Sequence, residues 1–495
     1  MSIRNLSLVV TAAFLFAGFG RPVAADTFTY IDQEGEEQTV EARLRGSGQE
    51  TFALETADGQ WVLVPEGNVI DREAAKGPEP ISADEMVGVL EVQFGAERVR
   101  THQQKPYVVC LVLAGPLDRR SESRVRGFLQ KAGRFMQNVE RVFERFAKDT
   151  HFPLREPEHP LVLVIFESDA DFNEYTVETT GGVGMSAGNI AGFYAKTTNW
   201  LAIRMEECRT FQVPLHEAIH QLMYNRVLQR FAPIPAWFDE GIATGFEADG
   251  DRVDVHPAKI NSLYALLAKS IPNDDVSWVD VVSNDNAFRG DILAGEAYIE
   301  AWCLHWMLVT QHTDAYEKYV QELAAREPLQ ELSSDERTER FEDAFGVTVG
   351  ELAADFPRVL KSGLKRQKVK APDSPPPGIS LTEQALSEVK MKAVNDVASG
   401  RLLVEGSLKN ASPIRPLTFH VAVVSGSGVY TDWVVDDVGI GKTVSLPGKV
   451  AAKVLPGAPG GSSRTFQVRV QWALPDSDEA AAWKRSPPLP AGFEE

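Results

Sequence analysis

The run Leu215-His216-Glu217-Ala218-Ile219-His220-Gln221-Leu222 sets two imidazoles four residues apart, with a carboxylate beside the first. On a helix, side chains four apart lie about 40° apart around the axis and one turn along it, so His216 and His220 can reach a single ion. Leu215, Ile219 and Leu222 give that helix a buried side. Zinc in hydrolytic sites takes three protein ligands and keeps one position for water, so a third donor is required. Glu240 supplies it, twenty positions after His220 in Pro235-Ala236-Trp237-Phe238-Asp239-Glu240-Gly241-Ile242-Ala243, a segment of helical character that can return across the first helix. The chemistry of such a set is hydrolysis. A cation polarises the scissile carbonyl, and Glu217 takes a proton from water and later delivers it to the leaving amine.

An HExxH pentapeptide followed by Trp-x-x-Glu-Gly-x-Ala resembles the gluzincin zinc peptidases of the peptidase-MA-like families. The resemblance covers His216 to Glu247 closely and the preceding sheet region loosely, and it leaves both flanking regions out. It implies one Zn2+ per chain on His216, His220 and Glu240, with Glu217 as catalytic base. Thermolysin-like relatives place an Asp four residues after the ligand Glu, and that position here is Thr244. Asp239 or Glu247 could substitute as outer partner of the ligands, Glu247 lying seven residues on and so on the same helix face as Glu240. Aminopeptidase-like relatives grip the substrate amine with the Glu of Gly-x-Met-Glu-Asn. The nearest text here, Gly182-Val183-Gly184-Met185-Ser186-Ala187-Gly188-Asn189, lacks that Glu, which favours an endopeptidase. The following strand, with Asn189, Gly192 and Tyr194, is then either the edge on which an extended peptide pairs or scaffold alone. Tyr298, at the start of a helix running through Trp302 and His305, is the first candidate for the donor to a developing oxyanion, and His305 the second.

The elements that position these residues follow from periodicity. From Val125, apolar Phe128, Leu129, Ala132, Phe135, Met136, Val139, Val142, Phe143 and Phe146 step as an amphipathic helix. Leu161 to Phe166 reads as a buried strand, and Ile190 to Tyr194 with Trp200 to Ile203 as a hairpin. After about Arg209 the pattern is helical. The fold class is therefore multidomain α+β: a sheet-containing half, then a helical half, with flanking β modules. Pro and Gly clusters divide the chain into a small all-β, barrel-like module at 26–76, the peptidase-like domain at 83–370, a Pro-rich linker at 371–379, an immunoglobulin-like β-sandwich at 380–476 and a disordered tail at 477–495.

Residues 1–25 carry the grammar of a secretory signal: Arg4, an apolar run from Leu6 to Gly20, and Val23-Ala24-Ala25 for cleavage. The protein is expected to be exported, to the periplasm, the cell surface or the medium, with no membrane span after the signal is removed. Lys and Arg number 50 against 70 Asp and Glu, giving a net charge of −20 that repels nucleic acid and anionic membrane. The expected partner is a protein or peptide substrate, with further protein or cell-surface contacts through the β modules. Three cysteines, Cys110, Cys208 and Cys303, cannot form a disulfide framework for a chain of this length, though one pair could form. Two rivals share this sequence: a binding protein in which the HExxH helix is a relic, and a zinc enzyme that is an aminopeptidase or is held latent by its N-terminal segment.

Overall fold

The computed structural model describes residues 26–73, 78–181, 191–209, 212–247, 253–268, 275–288, 295–368, 386–396, 401–425, 428–453 and 467–485. The N-terminal module contains β1 (Thr27–Ile31), β2 (Glu37–Glu41), β3 (Arg43–Gly48), β4 (Thr51–Glu55), β5 (Trp61–Pro65) and β6 (Val69–Glu73). The apolar run Val40 to Leu44 does not make one strand. It breaks at the buried Ala42 and passes from one sheet to another. The sheets, in the orders β2-β1-β6 and β3-β4-β5, enclose a small core of Phe28, Ala42, Leu54 and Val64 but do not pair with each other, so the barrel-like expectation is corrected. Alternation identifies strands but not which edges close, because the pairing partners lie outside the repeat. Gly59, at φ +81°, makes the turn between β4 and β5, as Asp58-Gly59 demands.

The central region is mixed α/β. Its first half comprises α1 (Ala83–Phe94), β7 (Val99–Gln104), β8 (Tyr107–Val112), α2 (Arg119–Asp149), β9 (Leu161–Phe166), α3 (Asp169–Thr180), β10 (Gly192–Tyr194) and β11 (Trp200–Arg204). The sheet order is β10-β11-β9-β8-β7, with β8, β9 and β11 parallel and the two edge strands antiparallel to their neighbours. Every residue of β8 and β9 is buried, as expected for strands covered on both faces. Val109, Leu111, Leu163 and Ile165 pack toward α2, while Val108, Cys110, Val162 and Val164 face the layer of α1 and α3. Among the described residues from 212 to 368 the regular elements are helical, α4 (Gln212–Arg226), α5 (Ala236–Phe246), α6 (Ser262–Leu267), α7 (Asp275–Ser283), α8 (Glu296–Gln311), α9 (Thr313–Ala324), α10 (Ser334–Phe345) and α11 (Val349–Gln367). Helix α8 is buried from Ile299 to Val309 and forms the axis of this half.

The C-terminal module pairs β12 (Ser387–Asp396), β13 (Arg401–Asn410), β14 (Leu417–Ser425), β15 (Gly428–Val438), β16 (Thr443–Lys453) and β17 (Gln467–Ala473) into two antiparallel sheets, β12-β13-β16 and β15-β14-β17. Leu408 and Leu446 of the first share a core with Phe419, Val421, Trp433 and Val470 of the second. Residues expected as the start of a disordered tail form α12 (Asp478–Arg485), with acidic residues in its first turn, basic ones in its last and Ala480 fully buried. That charge order suits the helix dipole. Arg415 anchors the module to the central sheet. Its guanidinium lies 2.8 Å from buried Glu167 and donates to the carbonyls of Gly115 and Pro116 at 3.0 Å. The three cysteines are buried and unbonded, and among the described residues no helix is long and apolar enough to cross a membrane.

Candidate metal centre

Helix α4 lies on the central sheet through Leu215, Ala218, Ile219, Leu222 and Met223, all essentially without solvent exposure. Gln221 fixes its height by donating to the carbonyls of Val162 at 2.9 Å and Asn199 at 3.2 Å. Arg155 covers its C-terminal end, donating to the carbonyls of Tyr224, Asn225, Val227 and Leu228 that have no partner within the helix. Helix α5 is placed by glycine. A Cβ at Gly241 would stand 2.7 Å from the Ala301 carbonyl oxygen of α8, and one at Gly245 would stand 2.8 Å from Pro257, so glycine lets α5 approach both α8 and the segment before α6 this closely. Asp285 caps α5 from outside, accepting from the Ala236 N–H at 2.9 Å.

These contacts bring His216, His220 and Glu240 together. Glu240 Oε2 is 3.1 Å from His216 Nε2 and 3.6 Å from His220 Nε2, and the two Nε2 atoms are 3.1 Å apart. A tetrahedral zinc with metal-to-donor distances of about 2.0–2.1 Å needs donors about 3.3 Å apart, so the three atoms fit one ion. The outer partners fix which nitrogen is free. His216 Nδ1 donates to Glu247 Oε1 and His220 Nδ1 to Asp239 Oδ1, each at 2.8 Å. An ionised carboxylate only accepts, so Nδ1 carries the proton in each neutral ring and both Nε2 lone pairs face Glu240.

Charge makes the same demand. Burial disfavours ionisation of Glu240, yet His220 and His216 hold its carboxyl down at about 2. Burial likewise opposes the His220 cation, but Asp239 and Glu240 push its pKa up to about 10. Asp239 sits well below the ordinary carboxylate range despite its burial, because His220 and Lys196 face it. Burial raises Glu217, and the two histidines pull it partly back. Counting Glu247, four carboxylates surround the two imidazoles, a donor set compatible with a divalent cation.

Glu217 does not join the donor set. Its Oε2 accepts from the Tyr194 N–H of β10 at 2.9 Å, which turns the carboxylate toward the sheet edge. The Tyr194 hydroxyl donates to Asn199 Oδ1 at 2.7 Å. Gly192 is a packing position, since a Cβ there would come 2.6 Å from Ile203 and 3.1 Å from Val213 of α4. Asn189 and Ile190 lie outside the described residues. Thr244 does not serve as an outer partner. Its hydroxyl donates back to the Glu240 and Gly241 carbonyls at 2.9 and 3.1 Å, the usual satisfaction of a threonine inside a helix. Tyr298 is near enough to the site to feel its charges: burial first, then Glu240, Glu217, Asp239 and Glu247, hold its phenol above the ordinary tyrosine range. His305 is a core residue, 3.0 Å from the Tyr316 hydroxyl, with burial holding its pKa down at about 3.

Three further side chains hold the outer carboxylates and were not singled out in the sequence. Tyr224, four residues after His220, donates to Asp239 Oδ2 at 2.6 Å, and its spacing was a readable signal. Tyr264 donates to Glu247 Oε2 at 3.1 Å, and Lys196 Nζ lies 3.3 Å from Asp239 Oδ2. Both arrive through tertiary packing that no local spacing encodes.

Residues 212–330 match a family model described as "Protein of unknown function (DUF1570)", a span that includes His216, Glu217, His220, Glu240 and Tyr298. Comparison with curated proteins gives no match. Among solved structures the chain is similar to the ZmpB metallopeptidase from Clostridium perfringens over 92% of this chain and 89% of that one, at 10% identity and a TM-score of 0.30. A likeness that slight assigns neither fold nor activity.

Proposed function

We propose that the protein is an exported zinc-dependent endopeptidase. The observation that carries this reading is the pair of outer carboxylates, Asp239 and Glu247, which turn both imidazole Nε2 atoms onto Glu240 at tetrahedral spacing. His216, His220 and Glu240 would hold the zinc, which supplies Lewis acidity toward a carbonyl and toward water. Glu217 sits one residue from a ligand with one oxygen anchored on the Tyr194 N–H, leaving the other to take a proton from the attacking water and return it to the leaving amine. Tyr298 donates to the oxyanion as the tetrahedral carbon forms. The β10 edge receives an extended peptide backbone, and a sequence without the amine-gripping Glu of the aminopeptidase motif favours an internal scissile bond. The C-terminal module is immunoglobulin-like and, with the N-terminal one, positions enzyme or substrate. The test is cleavage of fluorescein-labelled casein by the mature chain. Hydrolysis that chelation abolishes and zinc restores supports the reading, and a zinc-loaded protein inert on casein and on a random peptide library overturns it.

A further inference from the structure

The hairpin that carries Tyr194 and Lys196 is gripped from outside the peptidase-like region. Among the described residues its outer strand β10 has three residues and pairs with β11 alone, the shortest ladder in its sheet. Such an edge frays unless something else holds it. The turn from Ala195 to Asn199 is held by the N-terminal module: the Trp61 N–H donates to the Thr197 carbonyl at 2.7 Å. Arg230, 5% exposed and just past the end of α4, donates through Nη1 to the carbonyls of Gly59 at 2.7 Å and Lys196 at 3.2 Å. Its guanidinium lies 4.7 Å from the centre of the Trp61 ring and pairs with Glu55, which also accepts from Trp61 Nε1 at 3.0 Å. The fit is tight. A Cβ at Gly59 would stand 2.7 Å from the His159 ring. On the inner side, the same hairpin delivers the Tyr194 N–H to Glu217 at 2.9 Å, and Lys196 Nζ to Asp239 at 3.3 Å and Tyr224 at 2.6 Å.

We infer that the N-terminal β module is a clamp on the active-site hairpin, and that Arg230 is the positioning residue through which Glu55, Trp61 and Gly59 set Tyr194 and Lys196 against Glu217 and Asp239. The role in turnover rests on the peptidase reading above, whereas the clamp itself does not. Without the clamp, the zinc ligands stay on their helices, but the general base and the outer carboxylate lose the hairpin that orients them.

Amide hydrogen exchange of the metal-free full chain tests the clamp. The segment Gly192 to Asn199 should exchange at least about tenfold faster in Arg230→Met and in the milder Glu55→Gln and Trp61→Phe. Arg415→Met breaks the comparable buried pair of the C-terminal module and should leave that segment unchanged. With zinc supplied, the clamp variants should keep about one zinc per chain while casein hydrolysis falls about tenfold, with kcat lowered more than KM is raised. Unchanged exchange in all three clamp variants, or equal acceleration in Arg415→Met, overturns the clamp. Exchange that responds in a protein whose parent binds no zinc would sink the peptidase reading and leave the clamp standing.

Discussion

Two groups of three side chains among the described residues bring histidine and carboxylate donors within 4.8 Å of one another: His216, His220 and Glu240, and Glu55, Glu158 and His159. They differ in what surrounds them. In the first, acids stand behind the histidines, and the positive charge nearest the donors, Lys196, is engaged with Asp239. In the second, Arg230 and Arg45 already pair with Glu55, while Arg43 and Arg45 pair with Glu158. Burial opposes ionisation of Glu55, but His159, Arg230 and Arg45 hold its carboxyl down at about 2. The comparison teaches that convergent donors make a cation site only where the protein has not already supplied the cation. The first group is the one compatible with a metal ion, and the second is an ion-pair joint between modules.

Four substitutions sharpen or break this contrast, in order of expected size. Glu217→Gln should keep the zinc and lower kcat by about 10²–10⁴ in steady-state casein hydrolysis, since it removes the base and no ligand. Glu55→Ala should lower unfolding stability by about 3–5 kcal/mol in urea titration, because Arg230 is left buried without its partner, while zinc content stays the same. The depressed carboxyl also fixes a pH signature. A folded value of about 2, below the ordinary value near 4.3, means that the stability Glu55 contributes is complete above the unfolded value and is lost as pH falls through the folded one. That loss is about 3 kcal/mol between roughly pH 4.5 and 2. Comparing parent and Glu55→Ala across this window should show the difference between them shrinking as pH falls.

Asp239→Asn should weaken zinc binding by about 10–100-fold in competition with a chelating dye, as it removes the negative charge behind His220 and lets the amide present a donor to Nδ1. The smallest effect is expected of Gly241→Ala, about 1–3 kcal/mol in thermal unfolding, with α5 forced off the Ala301 carbonyl. An equal loss of zinc from Glu55→Ala and Asp239→Asn would erase the distinction between the two groups.

The first group was legible because it is local. His216, Glu217 and His220 share one helix, Glu240 follows in the next, and helical periodicity alone fixes which side chains share a face. Helical spacing singled out Glu247 and not Asp239, and only the fold pairs Glu247 with His216 and Asp239 with His220. Thr244 stands where thermolysin-like relatives have an Asp, and its hydroxyl bonds within its own helix instead. The run from Tyr107 to Val112 could have been recognised as a buried strand, and the alanine-rich segment before Arg485 as a helix. The joint at Glu55 was beyond reach. Its partner Arg230 is 175 residues away, and nothing in the spacing of either residue encodes how two modules dock.

His216, His220 and Glu240 alone are proposed to hold the metal. Zinc per chain, measured by plasma mass spectrometry on parent, Glu240→Ala and His159→Ala after zinc loading and desalting, tests it most directly. About one zinc in the parent and in His159→Ala, with less than about 0.1 in folded Glu240→Ala, is the expected result. Zinc retained by Glu240→Ala, or lost with His159→Ala, would contradict it.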